Sequence, residues 1–143
     1  MTLERLLIEI GGIGIDDRLI NFSAAGSSIY QLNDMTVKDY PILYISPTGT
    51  HTITENITSY ALTLFYIDRL LEDSSNDVDI HSTAIEVLKN IIRKIDRLDD
   101  VVYVSDEYSI QLFTETEKMK DRVNGAYATI TVDILNTEIC GVD

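Results

Sequence analysis

Residues 60 to 70, YALTLFYIDRL, carry the clearest pattern in the chain. Read as a strand, they place Ala61, Thr63, Phe65 and Ile67 on one face and Leu62, Leu64, Tyr66 and Asp68 on the other. A strand at the surface of a small domain ordinarily keeps one wet face. This run has almost none before Asp68, so something has to cover each side. The run then closes on Asp68-Arg69 and passes into EDSSNDVD (residues 72–79), a polar connector.

From Ile80 to Leu98 the period changes. Ile80, Ala84, Val87, Leu88, Ile91, Ile95 and Leu98 recur at helical spacing, and Ile85 and Ile92 widen the stripe. Asp77 and Asp79 suit the positive start of that helix, and Arg93, Lys94 and Arg97 its negative end. A short first helix is expected over residues 2–10, with Thr2 as cap, Leu3, Leu6, Leu7 and Ile10 as stripe, and Gly11-Gly12 as its stop. Gly26-Ser27-Ser28 reads as a turn before a short strand over Ile29–Leu32. Further strands are expected over Tyr40–Ser46, Val101–Val104, Tyr108–Phe113 and Ala126–Leu135, with Pro41 near a strand start or on an edge. Residues 47–57 are threonine-rich and read as a hairpin loop or flexible arm, and residues 114–125 as a polar loop.

That order predicts a single α+β domain spanning residues 1–143. Its sheet, mixed or antiparallel, would have about four to six strands. One long helix packs on one face, and the short N-terminal helix is too small to cover the other. The second face, rich in tyrosine and threonine, is then either half exposed or covered by another protein.

Composition changes the picture chiefly through charge. The chain carries 24 acidic and 11 basic residues, a formal net charge of −13. Gripping nucleic acid requires clustered lysine and arginine, so this balance argues against a DNA- or RNA-binding protein. It suits a solvated acidic surface, or a wall past which DNA slides without sticking. A lone cysteine, Cys140, excludes an internal disulfide framework. No apolar run reaches the roughly 18 residues of a membrane span. MTLERLLIEI lacks the basic head of a signal peptide, so a reducing cytoplasm, or a particle assembled there, is expected.

Candidate chemistry is thin. Asp73, Ser75, Asp77 and Asp79 alternate like a calcium loop, but the turn glycine is missing and the twelfth position is Ala84, so helix capping accounts for them better. His51 lies in the threonine-rich loop and His81 opens the long helix, with no nucleophile spaced for either. GGIG follows a helix rather than a strand, which argues against a phosphate cradle. No catalytic residue, cofactor site or metal site is expected. Asp68-Arg69 and Asp121-Arg122 each stand at a strand end, where either pair can bridge to a neighbour in the same chain or another.

SYALTLFYIDRL, the link with Asn76, IHSTAIEVLKNIIRKI and the later QLFTETEKMKDRVNGAYATITVDI together resemble tail terminators and neck (head–tail joining) ring proteins of tailed bacteriophages. The likeness is closest to those in phages of Bacteroidales, including crAss-like phages. It covers roughly residues 1–140, and its sharpest matches are Asp68, the central helix and Asp121-x-x-x-Gly125-x-Tyr127. The resemblance implies a structural virion protein without enzymatic activity. It would be assembled in the host bacterial cytoplasm as a six- or twelve-fold homo-oligomeric ring between head and tail. Portal, neck-ring or tail-tube proteins would be its neighbours, and DNA would pass through without specific binding. Subunit contacts are expected from Tyr60, Phe65, Tyr66, Asp68, Arg69, Asp121 and Arg122, with the 47–57 arm reaching the lumen or the next ring. The rival expectation is an acidic cytoplasmic binding module, a regulator or DNA-mimic inhibitor.

Overall fold

A computed structural model describes residues 1–35, 39–71, 73, 75–115 and 121–136. The elements run α1 (Leu3–Asp16), β1 (Phe22–Ala25), a 3-10 helix (Ile29–Asp34), β2 (Ile42–Pro47), β3 (Thr52–Ile53), β4 (Ile57–Arg69), α2 (Asp77–Ile95), β5 (Val101–Val104), β6 (Ile110–Glu115) and β7 (Val123–Leu135). The fold is α+β with a mixed sheet of seven strands, more than the pattern predicted. The order is β1-β2-β4-β7-β5, with β3 also beside β4 and β6 also beside β7. Among the described residues, only β1 and β2 run parallel.

The spine is the pair β4 and β7, 13 residues each, in unbroken antiparallel register from Ile57 opposite Leu135 to Arg69 opposite Val123. Their β-branched and aromatic residues fit a pleated, half-buried surface. Gly125 makes the pairing possible at its lower end, because a Cβ there would overlap the Tyr66 carbonyl.

Both helices lie on the same face. Leu6 and Ile10 of α1 and Val87, Leu88 and Ile91 of α2 share one buried cluster with Leu43, Ile45, Leu62, Leu64 and Tyr66 of the sheet. The second face is closed in part by residues whose composition predicts a strand. Residues 29–34 form a 3-10 helix capped by the Ser28 side chain, and Ile29 and Leu32 pack onto Ile42, Tyr44, Ile67 and Val123. Beyond that cover the face turns polar. The hydroxyls of Thr63 and Thr129 meet at 3.0 Å, and the Ser59 hydroxyl donates to Asp133 at 2.6 Å. One side of YALTLFYI is thus dry under helices, and the other passes from a small second core to paired hydroxyls.

Other expectations shift. α1 does not stop at Gly11-Gly12 but runs to Asp16. Those glycines cost helix propensity. Two of the α1 glycines instead allow close approach, since Gly11 faces Ser23 and Gly14 faces Ile20 and Ile91. The helix ends instead where Arg18 takes a φ of 58°. α2 spans Asp77–Ile95 rather than Ile80–Leu98, drawing Asp77 and Asp79 into its first turn. The expected loop at 114–125 is shorter, because β6 continues to Glu115 and β7 starts at Val123. Of the two readings of residues 47–57, hairpin loop or flexible arm, the hairpin agrees with the structure: β3 pairs with β4 (Thr52 with Ser59, Ile53 with Thr58). Cys140 lies outside the described residues.

Candidate functional site

The lower end of the spine gathers the charged pairs singled out from the sequence. Arg69 and Asp121 form an ion pair at 3.3 Å across the strand ends. The Tyr40 hydroxyl donates to the other Asp121 oxygen at 2.7 Å, and the Arg69 guanidinium lies 5.3 Å from the centre of the Tyr40 ring. Burial, then the Asp121 carboxylate, pushes the Tyr40 hydroxyl well above the usual tyrosine range. The Leu70 amide donates to the Arg122 carbonyl at 2.9 Å, extending the β4–β7 ladder. Asn76 completes the turn into α2: its Oδ1 accepts from the Leu71 amide and its Nδ2 donates to the Arg69 carbonyl. The run therefore closes on Asp68-Arg69 because strand ladder, ion pair and helix start meet there. This Arg69–Asp121 bridge lies within one chain, and Arg69 is exposed enough that it contributes about 1 kcal/mol or less.

Asp68 sits beside that cluster, opposite Asn124 on β7. Partial burial raises its carboxyl above the usual range, and the Arg69 amide that it accepts opposes the rise. A raised folded-state value means that the native chain holds this proton more tightly than the unfolded chain. Stability from this group is therefore full at acidic pH and is lost as pH rises through the folded value. Asp68→Asn is expected to raise the melting temperature at pH 7 by about 1–2 °C, small because solvent screens the group. The gain should shrink toward zero as pH falls into the carboxylate range, as thermal melts across pH would record.

The aromatic candidates separate. Phe65 faces the second side, with Phe113 and Tyr127 at ring-centre distances of 5.7 and 5.3 Å. These three rings form one wall of an open groove whose other wall is the 3-10 helix around Ser28 and Tyr30. Tyr60 packs half buried against the main core, its ring edge-on to His51. Tyr66 is 2% exposed beneath the helices, so its side chain is core and not a contact surface. Burial pushes its hydroxyl up to about 12.

The two histidines are positioned by structure. His51 Nδ1 accepts the Ala61 amide at 3.3 Å, while Thr48 donates to the Ala61 carbonyl, so the hairpin is latched at both groups. Ile53, 73% exposed, sits on β3 just before the Thr54–Ile57 turn. His81 Nδ1 lies 3.5 Å from Asp77, which also accepts from Asn124. His81 Nε2 and Asn124 Oδ1 are buried without a partner among the described residues. Asn124, 1% exposed at the start of a strand read as loop, is a residue that the sequence pattern gave no reason to single out.

Apolar exposure is spread over several elements: besides Ile53, Val78 at the start of α2 is 76% and Leu71 53% exposed, and further exposed residues lie on the two flanks of the sheet. On the β1 flank, Ile8 of α1 is 63% exposed and lines a shallow groove with Glu4, Leu7, Ser23 and Ala25. On the β5–β6 flank, Val102 is 52% and Leu112 56% exposed. There Arg93, Asp96 and Asp106 rim a cleft floored by Ile92 and Val104. No helix is long and apolar enough to cross a membrane among the described residues. No family model matches the chain, and no curated protein matches it.

Proposed function

We propose that the chain is a structural virion protein that forms a ring at the head–tail joint of a tailed phage, as tail terminator or neck ring. The observation that carries this reading is the pair of unlike apolar edges on one sheet, Ile8 with Leu7 beside β1 and Leu112 on β6. A ring needs a head-to-tail contact between two different patches, closed by rotation. A two-fold dimer would need only one self-complementary patch. The latched hairpin carrying Ile53 gives each subunit a projecting contact toward a neighbouring ring. The net charge of −13 suits a channel that DNA crosses without adhering.

Quantitative protein counting on purified particles tests this reading. The expected result is a fixed copy number matching one six- or twelve-fold ring per particle. Absence from particles would sink it and favour an acidic binding module with a cytoplasmic target, which shares the charge but has no place in a virion.

A further inference from the structure

The two edge strands of the sheet match each other. Following the pairings across five strands, Ser23 stands level with Leu43, Tyr66, Ala126 and Leu112, and Ala25 with Ile45, Leu64, Ala128 and Ile110. β1 and β6 therefore sit at the same height. One parallel and three antiparallel steps separate them, so they run in opposite directions.

The backbone phases also match. The Leu70 amide bonds to the Arg122 carbonyl, so even positions of β7 face β4 and odd ones face β6. That leaves Ile110 and Leu112 with their main-chain groups pointing out of the sheet. At the other end the Gly26 amide donates to Ile45, so even positions of β1 face β2, and Ser23 and Ala25 point outward. Native edges are blunted by short length, charge, proline or a bulge. β1 is short at four residues, but FSAA carries no charge or proline, and IQLFTE carries neither lysine nor proline.

Side chains complete the match. Ser23, Ala25, Ile110 and Leu112 all stand on the helix side of the sheet, in rows with residues of the main core. Leu112 is left largely in water, and the groove beside β1 lined by Leu7, Ile8 and Ala25 is left unfilled.

We infer that β1 of one copy pairs antiparallel with β6 of the next, Ser23 opposite Leu112 and Ala25 opposite Ile110, with Leu112 filling the Leu7–Ile8–Ala25 groove. The two edges are unlike and run antiparallel, so the same contact can repeat head to tail from each copy to the next. This rests on the ring reading for its occupant, a second copy, and adds the surfaces that meet.

Cysteine cross-linking in a Cys140→Ser chain tests it. Directly opposed residues in such a pair have Cα atoms about 5.5 Å apart, within disulfide reach. Ser23→Cys with Leu112→Cys should oxidise to a ladder of linked chains ending at the closed ring, while either single variant gives at most linked pairs. Leu112→Lys, at an exposed position that leaves folding intact, should weaken self-association at least tenfold by native mass. Rings that form without the ladder, or that tolerate Leu112→Lys, overturn the pairing and leave the ring reading standing. A chain that stays monomeric and uncross-linked at every concentration overturns the pairing too, and particle copy number then decides the ring reading separately.

Discussion

Gly125→Ala is expected to cost about 3 kcal/mol or more, near the upper end of overpacking substitutions. The added methyl has nowhere to go. It would overlap the Tyr66 carbonyl and crowd the Ile67 Cα, both main-chain atoms of the neighbouring strand. A flexible side chain could swing aside, but a strand paired over 13 residues cannot move locally without breaking its ladder. The result should be a drop of about 1–3 M in the urea midpoint, or failure to accumulate folded protein. Gly12→Ala is the control. Beyond the adjoining residues and backbone of its own helix, no atom lies within 4 Å of a Cβ built there, and alanine in a helix interior is favoured over glycine by about 0.5–1 kcal/mol. It should raise the midpoint slightly. If both variants behave alike, the close approach of β4 and β7 at Gly125 is wrong.

Leu64→Ala should cost about 2–5 kcal/mol. Leu64 is fully buried at the middle of β4, in the cluster that joins α1, α2 and the sheet. Its loss removes transfer free energy and leaves a cavity that neither helix can collapse into without losing its other contacts. Equilibrium unfolding in denaturant measures the loss. A cost under about 1 kcal/mol would mean that the helix face is packed far more loosely than described.

The long elements were legible in the sequence because their periods are strong. β4 shows a near-continuous apolar and aromatic run from Tyr60 to Ile67, and α2 a wide apolar stripe with charges matched to its ends. Where tertiary contact overrides local preference, the pattern misled. Gly11 and Gly14 look like a helix stop, yet their missing side chains are what lets α1 lie against β1 and α2. Ile29–Leu32 has the composition of a strand, but Ser28 caps it as a 3-10 helix whose Ile29 and Leu32 close the second core. Strands β1 and β3 are too short for a periodic signal.

The candidate contact residues divided similarly. Arg69 and Asp121 meet, but inside one chain, since sequence shows only that each stands at a strand end and not that β4 and β7 are neighbours. Tyr66 belongs to the core because even positions of β4 face the helices, and periodicity alone does not say which face is covered. Leu112 lies within the expected strand Tyr108–Phe113, between Gln111 and Phe113, and the pattern does not single it out. Its weight comes only from the sheet order, which puts it at the edge opposite β1.

Native mass measurement with negative-stain imaging of the purified chain, across a concentration series and with assembled tails added, tests the ring most directly. Annular particles of six or twelve copies, alone or seated on tail ends, are the predicted result. A species of one chain at every concentration that also fails to join tails would contradict it.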